Sequence, residues 1–231
     1  MAFPFYLAMT GWEFQNCQAL PNHTAWMACH FSPYTQGLSN IPRTLPENAL
    51  LMVNDRTEPQ NHDPTVVARQ LLDAVEHLKP RGVVLDFQRP FHQETAEITL
   101  KILSELPCPV AVTPIYAKDT SGPVFLPPIL PNQEIAECLS SWNGREIWLE
   151  TENTGICLNV TEGGCEIHPF VSKPETSALE DPALCCHYHI QVLHDRAVFS
   201  LFRTPEDQTV LLQKAEKLGV TLAVGLYQEF S

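Results

Sequence analysis

Short apolar segments that alternate with helical segments most constrain what this chain can fold into. Strands joined by helices pair in parallel through right-handed crossovers, and eight such strands close into a barrel. Segments typical of buried strands begin at Phe3, Ala25, Leu50, Gly82, Pro109, Pro123, Ala197 and Val220. The sequence therefore predicts an α/β fold of the (β/α)8, TIM-like type, irregular because several connections are short.

Three connecting helices carry clear end signals. Asp63 is a typical N-cap, Pro64 suits the first helical position, and Pro80 ends that helix. A second helix is predicted from Glu94 to Leu106, and a third starts at Thr204 and runs to Leu218. A shorter helix capped by Asn132 is expected before Arg145, where the alternation of strands and helices ends.

From Arg145 the pattern becomes that of an antiparallel β-meander. Three strands are predicted here, with a hairpin turn over 162–164. Their ranges are Glu146 to Glu150, Ile156 to Thr161 and Cys165 to Phe170. A loop from Ser172 to Ala183 and a strand from Tyr188 to Leu193 complete the insert. We thus expect residues 1–144 to form the first part of the barrel, 145–195 an inserted β-meander subdomain and 196–231 the last βαβ unit, in one structural domain overall.

The amino-acid composition argues against some classes of binding partner. The net charge of −13 disfavours nucleic acid and anionic membranes, since both require a basic surface. No signal peptide or membrane span is evident, so a cytoplasmic protein is expected. The eight cysteines include no CxxC pair and are interpreted as structural thiols. His187 and His189 near Cys185 could hold a metal, but a solvated strand face is the favoured interpretation, and no metal or cofactor is predicted.

The strand that starts at Gly82 points to a site. Its aliphatic residues run without alternation, as in a strand covered on both faces. Asp86, Gln88 and Arg89 then follow directly. Ligands of parallel α/β folds bind at the carboxyl ends of the strands, so this strand end is the first candidate.

Barrel closure would bring polar and aromatic residues from other strand ends to the same rim. Aromatic rings beside carboxylates and amides suit a carbohydrate, which offers flat C–H faces and many hydroxyls. Asp86, Gln88 and Glu229 are the candidates for catalytic positions. The candidates for ligand binding are Trp12, Glu13, His30, Tyr34, Asn54, Asp55, Arg89, Tyr116, Arg203 and Tyr227.

The stretch that begins at Arg81 resembles the fourth-strand motif D-G-x-D-x-D-x-E of family-18 glycoside hydrolases, the chitinase type, which are (β/α) barrels. Gly82 matches the glycine, Asp86 the last aspartate and Phe87 the usual aromatic residue, and this strand is also fourth in our count. Three motif positions, the first two acids and the glutamate, are replaced by Arg81, Val84 and Gln88.

The resemblance implies specific roles. In the family, the glutamate protonates the leaving oxygen, and the neighbouring aspartate positions the attacking acetamido group of the substrate. Asp86 could still orient a sugar amide, whereas Gln88 has no proton to donate at neutral pH. The implied function is a glycoside-hydrolase-like barrel that binds a carbohydrate or similar small molecule, with hydrolysis weak or absent.

Two alternatives stay open. An active glycoside hydrolase could take its acid from another rim carboxylate, with Glu13, Asp55 and Glu229 as candidates beside Asp86. Alternatively, the β insert could be a protein-interaction module or a homodimer surface, because its apolar side chains need cover. Those side chains include Ile156, Leu158 and Ile167.

Overall fold

The computed structural model of the protein describes residues 4–59, 61–153, 155–169 and 178–230. In this part of the chain, eight parallel strands form a closed barrel with helices between strands, as predicted, and a separate sheet is antiparallel. The predicted strand start Phe3, the strand end Phe170 and the first part of the Ser172 to Ala183 loop lie outside the described residues.

The elements fall into two series. The first is β1 (Phe5–Met9), α1 (Gly11–Asn16), β2 (Thr24–Phe31), β3 (Leu38–Ser39), β4 (Leu50–Asn54), α2 (Pro64–Leu78), β5 (Gly82–Asp86), α3 (Gln93–Glu105), β6 (Val110–Val112), α4 (Pro114–Ala117), β7 (Val124–Leu126), α5 (Ile135–Ser140) and β8 (Ile147–Thr151). The second is β9 (Ile156–Thr161), β10 (Gly164–Pro169), β11 (Leu179–Asp181), β12 (Cys186–Val192), β13 (Ala197–Phe202), α6 (Pro205–Lys217), β14 (Val220–Leu226) and α7 (Tyr227–Phe230).

The chain divides into two compact units. The first consists of Met1–Pro127, Gly144–Glu150 and Thr221–Ser231. It carries the barrel, in the order β1-β2-β4-β5-β6-β7-β8-β14 and back to β1, with the short β3 antiparallel to β2. The second unit, Pro128–Asn143 and Thr151–Val220, carries the antiparallel sheet in the order β10-β9-β13-β12-β11.

The seventh barrel strand is β8, and the sequence prediction was wrong here. β8 pairs in parallel with β7, although its residues were assigned to the meander. β13, predicted as the seventh barrel strand, instead pairs antiparallel with β9 and β12. The two segments are both short and apolar, and local pattern does not report which strand a segment pairs with, because pairing partners are distant in sequence. The Gly82 strand, β5, is the fourth of the barrel, as predicted.

Most other local predictions are confirmed, with three exceptions. α2 has Asp63 as N-cap and ends at Leu78, and Thr204 forms the capping box of α6. The helix expected after Asn132 begins at Ile135, with Glu134 as its N-cap. The predicted strand from Pro109 to Tyr116 is shorter and is followed by α4, and part of the predicted 172–183 loop forms β11. None of the described helices has the length and apolar character needed to cross a membrane.

The barrel interior is filled by one or two side chains from every strand. They are Tyr6, Ala8, Ala25, Leu50, Met52, Val84, Ala111, Phe125, Trp148, Leu222 and Val224. Gly82 lies on the same face as Val84, two residues earlier. A Cβ at Gly82 would lie 2.7 Å from the Trp148 ring and 2.9 Å from the Pro109 carbonyl oxygen, so only glycine leaves room for this ring.

The antiparallel sheet of the second unit has its own small core. Ile156, Cys186 and Leu201 are buried there, and Leu158 packs against them while remaining partly accessible. Ile167, on the same face, is 53% exposed. A protein-interaction or homodimer role for this sheet stays a prediction.

Candidate functional site at the barrel rim

Strand periodicity places Asp86 inside the barrel mouth. Side chains alternate between the two faces of a strand, so Asp86 shares the inward face of β5 with Val84. The strand register aligns His30 with Asn54 and Asn54 with Asp86 across three neighbouring strands. These three predicted site residues therefore form one row at the carboxyl end of the barrel.

Gln88 links two carboxylates across the mouth. Its Nε2 donates to Asp86 Oδ1 at 2.9 Å and to Glu150 Oε2 at 3.4 Å. Glu150 is at the end of β8 and, by alternation, on the same face as Trp148. The site is thus a pair of carboxylates that share one amide donor.

Sequence reasoning missed Glu150. The signal was present, since Ile147, Trp148 and Leu149 followed by an acid repeat the pattern of three apolar residues and an acid at β5. Assigning this segment to the meander removed its acid from the list of rim residues.

Asp55 holds the two rim loops together. Its side chain is buried, with Oδ1 accepting from the backbone N–H of Gln88 at 3.1 Å and Oδ2 from that of Arg89 at 2.9 Å. This carboxylate fixes the backbone that presents Gln88, and both of its oxygens are occupied.

Replacing Asp55 with Asn is expected to destabilise the protein by about 1 kcal/mol, because an amide retains one acceptor oxygen and leaves one backbone N–H without its partner. Urea unfolding at pH 7 measures the change. Asp63→Asn is the matched control, since Asn caps a helix as well as Asp does. Equal stability of the Asp55 variant and the native protein would show that the two hydrogen bonds do not hold the loop.

Burial dominates the electrostatics of Asp86. Removal from water raises the pKa of this carboxyl to about 6, the hydrogen bond from Gln88 opposes the rise, and the negative charge of Asp55 adds to it. A carboxyl in this range exchanges protons near neutral pH.

Two cavities have both Asp86 and Gln88 in their walls. One, of about 390 Å³, is also lined by His30, Asn54 and Asp55. The other, of about 340 Å³, is more apolar and is lined by Phe87, Thr113, Pro114, Ile115, Phe125, Pro127 and Glu150. Asp86 therefore borders both a polar cavity and a more apolar cavity, a combination that suits a sugar ligand.

Aromatic residues support the loops around this site. Phe87 is fully buried and stacks on Phe31 at 5.3 Å, with Tyr116 edge-on at 6.0 Å. Tyr116 lies on α4 instead of at a strand end, and its hydroxyl accepts from the backbone N–H of His92 at 3.1 Å. It is buried, and it lines a neighbouring cavity of about 490 Å³ with Phe91.

Four predicted site residues lie on the helices that follow β1 and β14. Trp12 is 72% exposed on α1. Glu13 closes the capping box of α1 by accepting from Thr10 N at 2.7 Å. Burial raises the pKa of Glu13, but hydrogen bonds from Thr10 and Gln228 outweigh it and leave the pKa lowered. Tyr227 and Glu229 are on α7, and neither lines the two cavities that contain Asp86.

The prediction that Arg203 lies at the barrel rim was wrong, because the strand before it, β13, belongs to the antiparallel sheet. It lies in the second unit, is buried, and donates to the carbonyl oxygens of Cys185 at 3.1 Å and Leu130 at 3.1 Å. Its guanidinium holds loops of that unit together. In the same unit, His187 Nδ1 lies 2.7 Å from Asp207 Oδ2. Among the described residues, no group of three or more His, Cys, Asp or Glu side chains is arranged to hold a metal ion.

Solved structures share this fold across nearly the whole chain. The family-18 N-acetylglucosaminidase of Paenibacillus barengoltzii has a TM-score of 0.65 at 10% identity, covering 98% of this chain and 95% of that one. The spore cortex-lytic enzyme SleL of Bacillus cereus has a TM-score of 0.59 at 11% identity, covering 96% and 70%. A family-18 chitinase variant from Cycas revoluta, in complex with (GlcNAc)4, has a TM-score of 0.56 at 10% identity, covering 96% and 94%.

These likenesses show the fold alone. The chain has the same barrel fold as family-18 glycoside hydrolases. No protein-family model matches the sequence, and no curated protein matches it closely enough to count as a relative.

Proposed function

We propose that the protein binds a glycan at the carboxyl-end rim of the barrel, centred on Asp86 and Gln88, and that it hydrolyses this glycan weakly or not at all. The observation that carries the proposal is the amide of Gln88 donating to both Asp86 and Glu150. An amide in this position can hold a sugar oxygen or a carboxylate, but it cannot protonate a leaving group.

Other features of the rim support a sugar ligand. The residue row His30, Asn54 and Asp86 combines side chains that donate hydrogen bonds with side chains that accept them. Ile115 and Phe125 add an apolar wall on the other side of Asp86. Structural neighbours include a chitinase in complex with (GlcNAc)4, which makes N-acetylglucosamine oligomers the first ligands to test.

Isothermal titration with N-acetylglucosamine tetrasaccharide tests binding, and an aryl-glycoside panel tests turnover. We expect saturable binding, at least a tenfold loss of affinity in Asp86→Ala, and no turnover above background. Asp73→Ala, at an exposed position of α2, is the matched control and should bind as the native protein does. Absence of binding to a wide glycan array would refute the proposal.

A second candidate function is an active hydrolase that uses Asp86 and Glu150. Asp86 has a pKa of about 6, which suits a proton donor. Because both carboxylates bond one nitrogen, their nearest oxygens lie closer than the roughly 6.5 Å minimum of inverting glycosidases. Turnover by the native protein that both Asp86→Asn and Glu150→Gln abolish would favour this candidate over pure binding.

A further inference from the structure

We propose that a cavity beside the rim binds an anionic substituent of the glycan, so that the ligand is an acidic oligosaccharide. This inference rests on the proposed glycan binding and adds the chemical class of the glycan. The cavity, called the arginine cavity below, has a volume of about 570 Å³ and belongs to the barrel unit. Its walls include Tyr34, Arg56, Glu58, His62 and Arg89.

Arg56 connects the arginine cavity to the site at Asp86. It lines both this cavity and the 390 Å³ cavity that contains Asp86. Its backbone N–H donates to Asn54 Oδ1 at 3.1 Å, which ties its loop to the end of β4. A glycan seated over Asp86 therefore has Arg56 along one side.

The arginine cavity concentrates positive charge in an acidic protein. The chain has 14 Lys and Arg residues against 27 Asp and Glu residues, yet the wall of this cavity has two arginines and one carboxylate, Glu58. Arg89 is held in place by Glu58 at 2.6 Å and by the Arg56 carbonyl oxygen at 2.8 Å. The Arg56 guanidinium has no ion pair with any residue that the structure describes, so its planar fork is available to a carboxylate or sulfate.

His62 is the independent sign of a ligand. Its side chain is 6% exposed, and neither ring nitrogen has a hydrogen-bond partner among the described residues. The ring packs edge-on against Phe31 at 5.3 Å, and the backbone N–H donates to Glu94 at 2.6 Å. Buried polar atoms nearly always have a partner. Both nitrogens lie just below the wall of the arginine cavity that His62 lines, so a rotation of the ring toward the cavity would let a ligand oxygen supply the partner.

Tyr34 adds a surface for the sugar itself. It is 93% exposed at the wall of the same cavity, where its ring can stack on a sugar face. The arginine cavity thus combines an aromatic face, a guanidinium and an imidazole, which matches a sugar ring that carries a negative charge.

Titrations with three tetrasaccharides test the inference. The probes are an N-acetylglucosamine tetrasaccharide, one that alternates N-acetylglucosamine with glucuronate, and the sulfated form of the latter. We expect at least tenfold tighter binding of one or both acidic probes at about 50 mM salt, and a smaller preference at about 500 mM because salt screens charge. The two acidic probes distinguish a carboxylate from a sulfate.

Three variants assign the preference to the cavity. Arg56→Gln should remove the preference for the acidic probes. Glu58→Gln should increase it, because the substitution removes the competing carboxylate from Arg89. Arg69→Gln, at an exposed position of α2, is the matched control and should leave the preference unchanged.

Each contrary result has a defined meaning. Equal binding of neutral and acidic probes would overturn the acidic-glycan inference and leave the proposed glycan binding intact. An acidic preference that survives Arg56→Gln, or that Arg69→Gln abolishes equally, would also overturn it. Binding of no probe at all would overturn the proposed function and this inference together.

Discussion

Replacing Gln88 with Glu is expected to create hydrolysis of aryl N-acetylglucosamine oligomers, at least about 100-fold above that of the native protein, since a positioned general acid contributes this much or more. The new carboxyl would stand beside Asp86 and Glu150, whose negative charges favour its protonated form. It would thereby supply the proton that the amide lacks. Turnover should fall as the pH rises through the pKa of the new acid.

The measurement is fluorescence release from an aryl-glycoside substrate, with thermal unfolding as a check of folding. Gln88→Ala is the matched control, because it removes the same amide without adding an acid, and it should stay inactive. A double variant with Asp86→Asn should lose the gained activity. A folded Gln88→Glu protein that binds the oligomer without cleaving it would show that the acid position is not what limits catalysis.

Replacing Asp86 with Asn is expected to change how the stability of the protein depends on pH. The pKa of Asp86 is about 6 in the folded protein and close to 3.8 in an exposed carboxyl, so the folded state holds this proton more tightly than the unfolded state. Asp86 therefore makes the native protein less stable as the pH rises from about 4 through 6, and the loss is complete above that range. Asp86→Asn removes this penalty and retains an oxygen to accept from Gln88.

Asp86→Asn is expected to be more stable than the native protein by about 2 kcal/mol at pH 8, a figure reduced from the roughly 3 kcal/mol of the full shift because the side chain is only half-buried. The advantage should vanish at about pH 4. Urea unfolding of both proteins across this range gives the difference, and Asp73→Asn on the exposed face of α2 should show no such trend. Parallel curves for Asp86→Asn and the native protein would mean that Asp86 is as well solvated as a surface carboxyl.

Together, these two substitutions separate stability from function at one site. A half-buried carboxylate with a raised pKa costs stability, and proteins keep such groups mainly where they serve binding or catalysis. We therefore expect Asp86→Asn to be more stable and to bind the glycan less tightly. Gln88→Glu is expected to gain activity and to lose stability, since it adds a third carboxyl to the same space.

Much of the candidate site follows from local sequence because it is attached to β5. Val83, Val84 and Leu85 identify a buried strand, and alternation then fixes on which face Asp86 must lie. The helices were also predictable where caps are explicit, as at Asp63 and Thr204. These features depend on residues within a few positions of each other, so the local sequence determines them.

The misplacement of Arg203 depends on distant strand pairing, whereas the misplacement of Tyr116 depends on a local helix start. Arg203 was expected at the rim because β13 has the composition of a barrel strand. In fact β13 hydrogen-bonds to β9 and β12. Tyr116 was expected at a strand end, but Pro114 starts a short helix before it.

By itself, the sequence determined an eight-stranded α/β barrel, its fourth strand and a polar strand end at Asp86 and Gln88. Only the tertiary structure decided that β8 is the seventh strand, and hence that Glu150 shares the Gln88 amide with Asp86. The physical reason is that strand composition reports burial, whereas the choice of neighbour is made by hydrogen bonds and packing between residues far apart in the chain. The pairing of β4 with β5 brings Arg89 next to the loop that holds Arg56 and His62, so that all three line one cavity.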